Sequence, residues 1–528
     1  MQFLPTSMNR EAAARDTGVA GWRLRTGGYC AATPDELLSI LRESGPQRVQ
    51  ETAGEFVFAA ESEDEQFLIS SPYGVAQYFY VQAGSRLIHA DTVLGVVRQA
   101  GLDWEWNWRA LADLAALDHL LECETLHARV KRMPPGSVVH CRGGQVVVHQ
   151  RAWEEWHPQR RATADEALRA FNDDTLRWGR GQIVVAMSGG FDSRAILSAL
   201  LAAGVKPQLL TAGFPDSTDV VIARAISARF GLPLDVVEVR PEDYLAHGDE
   251  ITLATSGTKL AWHWHSDLFM RRAGLDPASI LYAGANGELA RTYYLNFGIA
   301  AELASAASGP LLRAIWTRKT KDIFRPEELR TLHPELQKFL DRNGQRERVE
   351  RIVGLCPGGL LNGLDRFYLG QRVRNFISNG LRLYGLHAQV RTPFLSREWV
   401  SAVWNLPRGW KLGSNWHRYA IRQNEARLME FPEKGRAGPT VEQAPTLYWW
   451  PWRKRTPVKG YVDCPSWFRA PDIGNFLRAN AHHIEELLPA ATVDAIVREH
   501  ERGGDRTRTL AFLLTMSFWL RHLRAAPK

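Results

Sequence analysis

No stretch of the 528-residue chain reaches the about 18 uninterrupted apolar residues that a membrane-spanning helix needs. The first residues, MQFLPTSMNREAAARDTG, lack the apolar centre of a secretory signal. A cytoplasmic protein is expected, with no membrane partner. Cysteine is sparse. Cys30, Cys123, Cys141, Cys356 and Cys464 are scattered and odd in number, and no two form a CxxC pair. A disulfide framework and a cysteine metal site are both excluded, and buried or idle thiols are the plain reading. Charge of one sign is also missing. The net charge of +7 is modest over this length and is not gathered into long runs. It permits an anionic partner such as a nucleotide, and no nucleic-acid partner is expected. A thiolating enzyme of tRNA would show catalytic cysteines near its nucleotide loop, and none is there.

What is present is organised in two parts. The length predicts two domains or three. The first ~155 residues read as β-rich. GEFVFAAES, QFLISS, QYFYVQ and RLIHAD are short apolar or alternating runs broken by turns. ALADLAALDHLLE has helical spacing, and PPGSVVHCRGGQVVVHQ reads as a turn and a hairpin. A polar stretch near His157 to Arg161 marks a boundary, giving domains 1–158 and 159–528. Beyond it strands and helices alternate. QIVVAM, PQLLTAG, PLDVVEV and SILYAGANGE are strands; Ala195–Ala203 and Asp219–Phe230 are helices, each stopped by a Gly. That alternation implies a doubly wound parallel sheet. From about Ala301 the chain reads as mainly helical. The tryptophan cluster YWWPWRKR, Tyr448 to Arg455, is either a stacking surface or a packed subdomain with a basic edge.

The chemistry concentrates in VVAMSGGFDSRAILSALLAAG, from Val184. A strand, a glycine turn and a helix follow one another, and no P-loop Lys is present. Gly189 and Gly190 let the backbone approach an anion, and the helix start offers N–H groups and a favourable dipole. Ser188 and Ser193 add hydroxyls. Asp192 would repel a bare phosphate, so a Mg²⁺ ion between carboxylate and phosphate is expected. The loop is read as a polyphosphate and metal site.

The full Ser-Gly-Gly-x-Asp-Ser string resembles the pyrophosphate loop of the N-type ATP pyrophosphatases, which cleave ATP between the α- and β-phosphates. The resemblance extends further. GEFVFAA, SPYGVAQYFYV and RLIHADTVLGVV look like the amino-terminal domain of asparagine synthetases, VKRMPPGSVVHC like the hairpin that closes it, and VRTPFLSREWVSAVWNLP like a segment of the synthetase domain. The resemblance to the asparagine synthetase superfamily implies an α+β part, an αββα glutaminase-like sandwich, followed by an α/β part, a parallel-sheet ATP-pyrophosphatase domain with a helical end. It implies ATP and Mg²⁺ as cofactors.

Departures from the family pattern carry information. Glutamine-dependent members have a nucleophilic cysteine directly after the initiator Met; here Gln2 stands there, and an amide cannot replace a thiolate. The first domain is expected to be a scaffold. The second synthetase motif is YAGANGELARTYY, in which Gly284 joins the nucleotide site and Glu288 takes the place of a metal-binding Asp. The residue that orients or deprotonates the nucleophile in relatives is Ala285 here. A base must come from elsewhere, and His263, His265 and Tyr293 are neighbours in sequence. Lys434 in FPEKGRAGPT is the counterpart of a family lysine that stabilises transition-state charge, with Arg436 competing for the part. Thr211 and Gly213 lie where the adenosine pocket begins, followed by Asp216 and Asp219, the latter a candidate helix cap. For Arg391 an internal ion pair is as good a reading as substrate contact.

An amide-forming site without glutaminase activity needs an amine that the substrate itself brings. Closure within one molecule gains from proximity. The resemblance is then greatest to lasso-peptide cyclases, which join a precursor peptide's own N-terminal amine to a side-chain carboxylate as a macrolactam. A leader peptidase and a leader-binding protein would be partners. A β-lactam synthetase-like or other ligase of a small acid or sugar shares every ATP-side residue.

Overall fold

The computed structural model describes residues 17–19, 21–178, 181–294, 308–320, 322–435, 439–440 and 458–525. Gln2, Arg436 and the Tyr448–Arg455 cluster lie outside the described residues.

The first part is built in four layers. Its larger sheet has six antiparallel strands: β1 (Thr17–Val19), β2 (Trp22–Cys30), β3 (Gly54–Glu61), β4 (Glu65–Ser70), β8 (Ser137–Arg142) and β9 (Gln145–Gln150), in that order. A smaller sheet is made of β6 (Arg86–Ala90), β5 (Phe79–Ala83) and β7 (Lys131–Arg132). Strand periodicity explains the stacking. On β3, Phe56, Phe58 and Ala60 point to one face and pack on Leu37, Leu38 and Leu41 of the helix Pro34–Ser44. Val57 and Ala59 point the other way and meet Tyr78, Leu87 and Met133 between the sheets. Phe79 and Val81 of β5 cover the helix Val93–Gln99 through Val93, Val96 and Val97. The helix–sheet–sheet–helix order is the expected αββα sandwich. The helix Pro34–Ser44 was not expected from sequence. Its signal was there in Thr33-Pro34-Asp35-Glu36, whose Thr33 and Glu36 cap each other reciprocally.

The second part centres on five parallel strands: β10 (Ile183–Ala186), β11 (Gln208–Ala212), β12 (Leu234–Val237), β13 (Ile280–Tyr282) and β14 (Gln389–Arg391). Their spatial order is β12-β11-β10-β13-β14. Alternate residues of each strand enter two different cores. Val184, Leu210 and Leu281 face the side covered by the helices Asp243–Ala254, His265–Ala273 and Thr507–Ala525. Val185, Leu209 and Ile280 face the helices Phe191–Ala202 and Thr218–Phe230. This is a doubly wound sheet, buried on both faces, which is why its strands read as continuous apolar runs.

Three details differ from the sequence reading. The helix after β10 begins at Phe191, four residues earlier than expected, so Asp192 and Ser193 lie in its first turn. A fifth strand, β14, lies inside the region read as helical and pairs with β13. The helix Trp108–Leu117 precedes the expected boundary in sequence, yet Ala110, Leu111 and Leu114 pack in the same core as Leu281 and Trp519. No helix among the described residues is long and apolar enough to cross a membrane.

Candidate active site at the sheet switch point

Ligands of open parallel sheets bind beyond the carboxyl ends of the strands, where the strand order reverses. Here the order runs outward from β10 in one direction and from β13 in the other. The loops after these two strands carry Ser188 to Ser193 and Gly284 to Glu288.

Tertiary packing brings them into contact. A Cβ on Gly284 would lie 2.9 Å from the Asp192 Cβ, and one on Gly287 would press still closer on the Asp192 carboxylate. Only glycine fits at either place. Asn286 holds the turn in the left-handed region, with φ 73°, and donates its amide to the Phe394 carbonyl at 2.6 Å. The Pro393–Leu395 segment therefore buttresses the second loop.

Asp192 and Glu288 converge on one cation. Arg291 Nη2 lies 3.0 Å from Asp192 Oδ2 and 3.3 Å from Glu288 Oε1. Tyr368 donates its hydroxyl to the other Glu288 oxygen at 2.7 Å. His417 Nε2 lies 2.9 Å from Asp192 Oδ1. Burial opposes ionisation of Asp192, yet Arg291 and His417 beside it hold its carboxyl below the usual range. Burial lowers the pKa of His417, against the pull of the Asp192 carboxylate. Two carboxylates sharing one point suit a Mg²⁺ ion, which takes one or two carboxylates and fills the rest of its shell with phosphate oxygens and water. Asp192 and Glu288 would hold it, in the place where the guanidinium now balances them. Among the described residues no group of three or more His, Cys, Asp or Glu gathers into a metal cluster.

The glycine loop is more self-contained than expected. Gly189 N–H donates to Asp219 Oδ1 at 2.8 Å, Ser188 N–H to Ser193 Oγ at 3.1 Å, and Gly190 N–H to Ser188 Oγ at 3.2 Å. The two serine hydroxyls face each other at 3.2 Å. The loop's own amides and hydroxyls are thus spent on holding its shape. The donors left for an anion are those of the first helical turn, from Phe191, where Gly190 provides no side-chain cap.

Lys434 reaches this loop. Its Nζ donates to Asp219 Oδ2 at 2.6 Å, on the same carboxylate that holds Gly189. Asp219 is therefore a bridge between the two segments and does not cap its helix. The buried Arg194 fixes the Lys434 segment by donating to the carbonyls of Gly189, Phe431 and Pro432. Thr211 and Gly213 sit at the end of β11. The Thr211 and Ser217 hydroxyls are buried with no partner among the described residues. Gly213 has φ 143°, and a Cβ there would strike Ser217 and Tyr461. Orphaned hydroxyls beside a close backbone approach fit a pocket for a polar ligand such as a nucleoside.

Other candidates fall elsewhere. Asp216 is exposed and pairs with Lys459. Arg391 makes no ion pair among the described residues; it stacks over Tyr29 at 5.0 Å and Trp178 at 5.2 Å. His263 lies by Asp118 and Phe376, and His265 Nε2 faces the Tyr461 hydroxyl at 2.9 Å. Burial lowers their pKa values to about 4 and about 3. Tyr293 stacks on Tyr368 at 4.9 Å. Cys30, the cysteine nearest the chain start, has its thiol pKa pushed up to about 11 by burial, so it is no thiolate at neutral pH. Arg291, Tyr368 and His417 were not read as site residues. Arg291 had a signal, three residues after Glu288 on one short helix; the other two had none.

The fold and site define a class: a two-sheet sandwich joined to a parallel α/β sheet with a glycine loop and an acidic pair at its switch point. Residues 29–153 match the glutamine amidotransferase domain family. Proteins of Mycobacterium bovis and of two Mycobacterium tuberculosis strains, each provisionally named asparagine synthetase (glutamine-hydrolyzing), are 30% identical over 218 residues. That is 37% of this chain and 33% of each relative, so the chain spans about a third of the length of the curated proteins it matches. A glutamine phosphoribosylpyrophosphate amidotransferase from B. subtilis overlaps 42% of the chain at 10% identity with a TM-score of 0.18. An allosteric regulatory enzyme of purine biosynthesis overlaps 43% at 9% identity with a TM-score of 0.19. Overlaps at that level do not bear on the fold.

Proposed function

We propose that the protein is an ATP-dependent C–N ligase of the asparagine synthetase superfamily, releasing AMP and pyrophosphate. The convergence of Asp192 and Glu288 on one cation position, beside a glycine loop at the switch point, carries this reading. Domain 1–158 serves as a glutaminase-like scaffold, and domain 159–528 as the ligase.

In the proposed reaction a substrate carboxylate oxygen bonds to the α-phosphorus of ATP, and pyrophosphate leaves. An amine then bonds to the activated carbonyl carbon, AMP leaves with the bonding pair, and the amine loses a proton. Mg²⁺ would supply charge neutralisation between phosphate oxygens. The first turn of the helix Phe191–Ala202 offers N–H groups to the departing pyrophosphate. Lys434 is within reach of the loop to offset negative charge once it leaves Asp219. Ala285 leaves the second loop without a base, which favours an amine brought by the substrate. We take that substrate to be a precursor peptide whose N-terminal amine closes a macrolactam on its own side-chain carboxylate. A leader peptidase and a leader-binding protein are the implied partners.

The test incubates the protein with MgATP, a candidate precursor and its protease, and looks by mass spectrometry for the core peptide minus one water. AMP without that mass loss rejects the cyclase and leaves a ligase of another acid. Asp192→Ala should abolish AMP release; full retained activity refutes the loop assignment.

A further inference from the structure

A small cavity lies in the seam between the two parts of the chain. Its walls come from β2, from the start of β3, from the helix Ala164–Arg177 and from the segment 395–398. About 20 Å³ of it is open to the centre of a water-sized sphere, room for one water or one ion. Strand periodicity puts Glu55 there. It shares the inter-sheet face of β3 with Val57 and Ala59, one step beyond the end of that apolar core. Ser71 Oγ donates to Glu55 Oε2 at 2.9 Å, and Val75 N–H donates to the same oxygen at 3.3 Å. Among the described residues Glu55 Oε1 takes no hydrogen bond, and neither oxygen meets a cation.

Gln50 gives a second, separate sign. It is fully buried and lines the cavity. Its Nε2 donates to the Ser70 carbonyl at 3.3 Å, while Oε1 has no partner among the described residues. A buried polar atom left unpaired calls for a water or an ion. The other groups on the wall are matched. Glu51 pairs with Arg48 and Arg151, and Glu398 with Arg397 at 2.8 Å. Asp174 Oδ1 has Arg177 at 3.7 Å. The Tyr29 hydroxyl is taken up by Thr392 at 2.9 Å, and Arg391 lies over the Tyr29 ring. What remains open is a set of oxygen acceptors and one unbalanced negative charge, that of Glu55. Burial raises the Glu55 pKa to about 8 and that of Asp174 to about 6. A proton on Glu55 removes the charge but leaves Gln50 Oε1 unpaired. A cation answers both.

We infer that the seam cavity binds one monovalent inorganic cation, to which Glu55, Gln50 and Asp174 supply oxygens. Carboxylate and carbonyl oxygens suit hard cations. One unbalanced charge sets the charge of the ion at one. The exchange balances: the cation enters as the Glu55 proton leaves to solvent. The ion ties Gln50 and Glu55 of the first part to Asp174 of the second. The inference stands apart from the ligase reading, since no nucleotide and no substrate takes part in it.

The full chain is held at about pH 8 in choline chloride with EDTA, and KCl or NaCl replaces choline at constant total chloride. Near the Glu55 midpoint about half the molecules carry the proton, so a saturating cation should release about half a proton per chain. Release is read with a pH indicator, and Tm should rise over the same saturating range. The salt that saturates at the lower concentration identifies the preferred ion. Glu55→Gln should abolish both responses. Asp174→Asn should weaken the apparent affinity about tenfold, the worth of one charge-assisted contact. Glu55→Gln copies the protonated side chain, so at about pH 5 its Tm should match that of the parent protein. Proton release is read on the parent protein, so the outcome does not depend on the variants folding. No proton release with either salt overturns the site and leaves a water in the cavity. So does an equal saturable response in Glu55→Gln, which would put the ion elsewhere. A Tm rise that grows without saturating is a general salt effect and overturns it too.

Discussion

Replacing Arg291 by Met removes the one cation among the described residues that both acidic residues share. Each carboxylate oxygen lies about 3 Å from the same nitrogen, 3.0 Å for Asp192 and 3.3 Å for Glu288. The two oxygens are therefore within about 6 Å of each other. At an effective dielectric of about 20, like charges at that distance repel by about 3 kcal/mol. Breaking a buried ion pair by removing one partner costs a similar amount, about 3–5 kcal/mol. Asp192 is 16% exposed and Arg291 24%, so solvent screening is only partial. In EDTA, Arg291→Met should thus be about 3 kcal/mol less stable to urea. Mg²⁺ should restore much of it. A ligand present at about a hundred times its Kd adds about 2.7 kcal/mol, and the variant no longer makes the metal compete with a guanidinium. The measurement is urea denaturation of both proteins in EDTA and in MgCl₂. Equal stability in EDTA, or an equal Mg²⁺ effect on both, would refute a shared cation locus.

Two further perturbations test the packing around it. Gly287→Ala pushes a methyl into the Asp192 carboxylate. It should lose about 1–3 kcal/mol and AMP formation together, while Gly354→Ala, which meets nothing within 4 Å, should be neutral or slightly stabilising in the same urea melts. Glu55 is buried between the two parts of the chain, and burial raises its pKa to about 8, while Ser71 and Val75 donate to it. The folded state holds this proton and the unfolded state releases it near the ordinary carboxyl value. Stability should therefore fall from about pH 5 to about pH 8, by up to about 1.4 kcal/mol per pH unit. Glu55→Gln should flatten that slope in urea melts across the range; an unchanged slope would place the proton elsewhere.

Much of the fold was legible because periodicity is local. GEFVFAAE alternates Phe56 and Phe58 against Val57 and Ala59, and each set fills a different core. The runs around Val184 and Leu209 are apolar throughout because the parallel sheet is covered on both faces. The strand β14 was missed for a different reason. It has three residues, follows β13 by over a hundred, and gains its hydrogen bonds only from a distant partner.

The sequence by itself determined the loop. Ser188 to Ser193 is a strand–turn–helix in which the Ser188 and Ser193 hydroxyls and the loop's backbone bond to one another. It also shows an amide side chain at Gln2 and a methyl at Ala285. Tertiary structure alone decided what surrounds that loop. Gly284 and Gly287 acquire their reason from Asp192, about a hundred residues away in sequence. Lys434 acquires its place through Asp219. Side-chain chemistry is written in the chain, but charge balance is a property of distances. Those distances exist only once the strand order has brought β10 and β13 side by side.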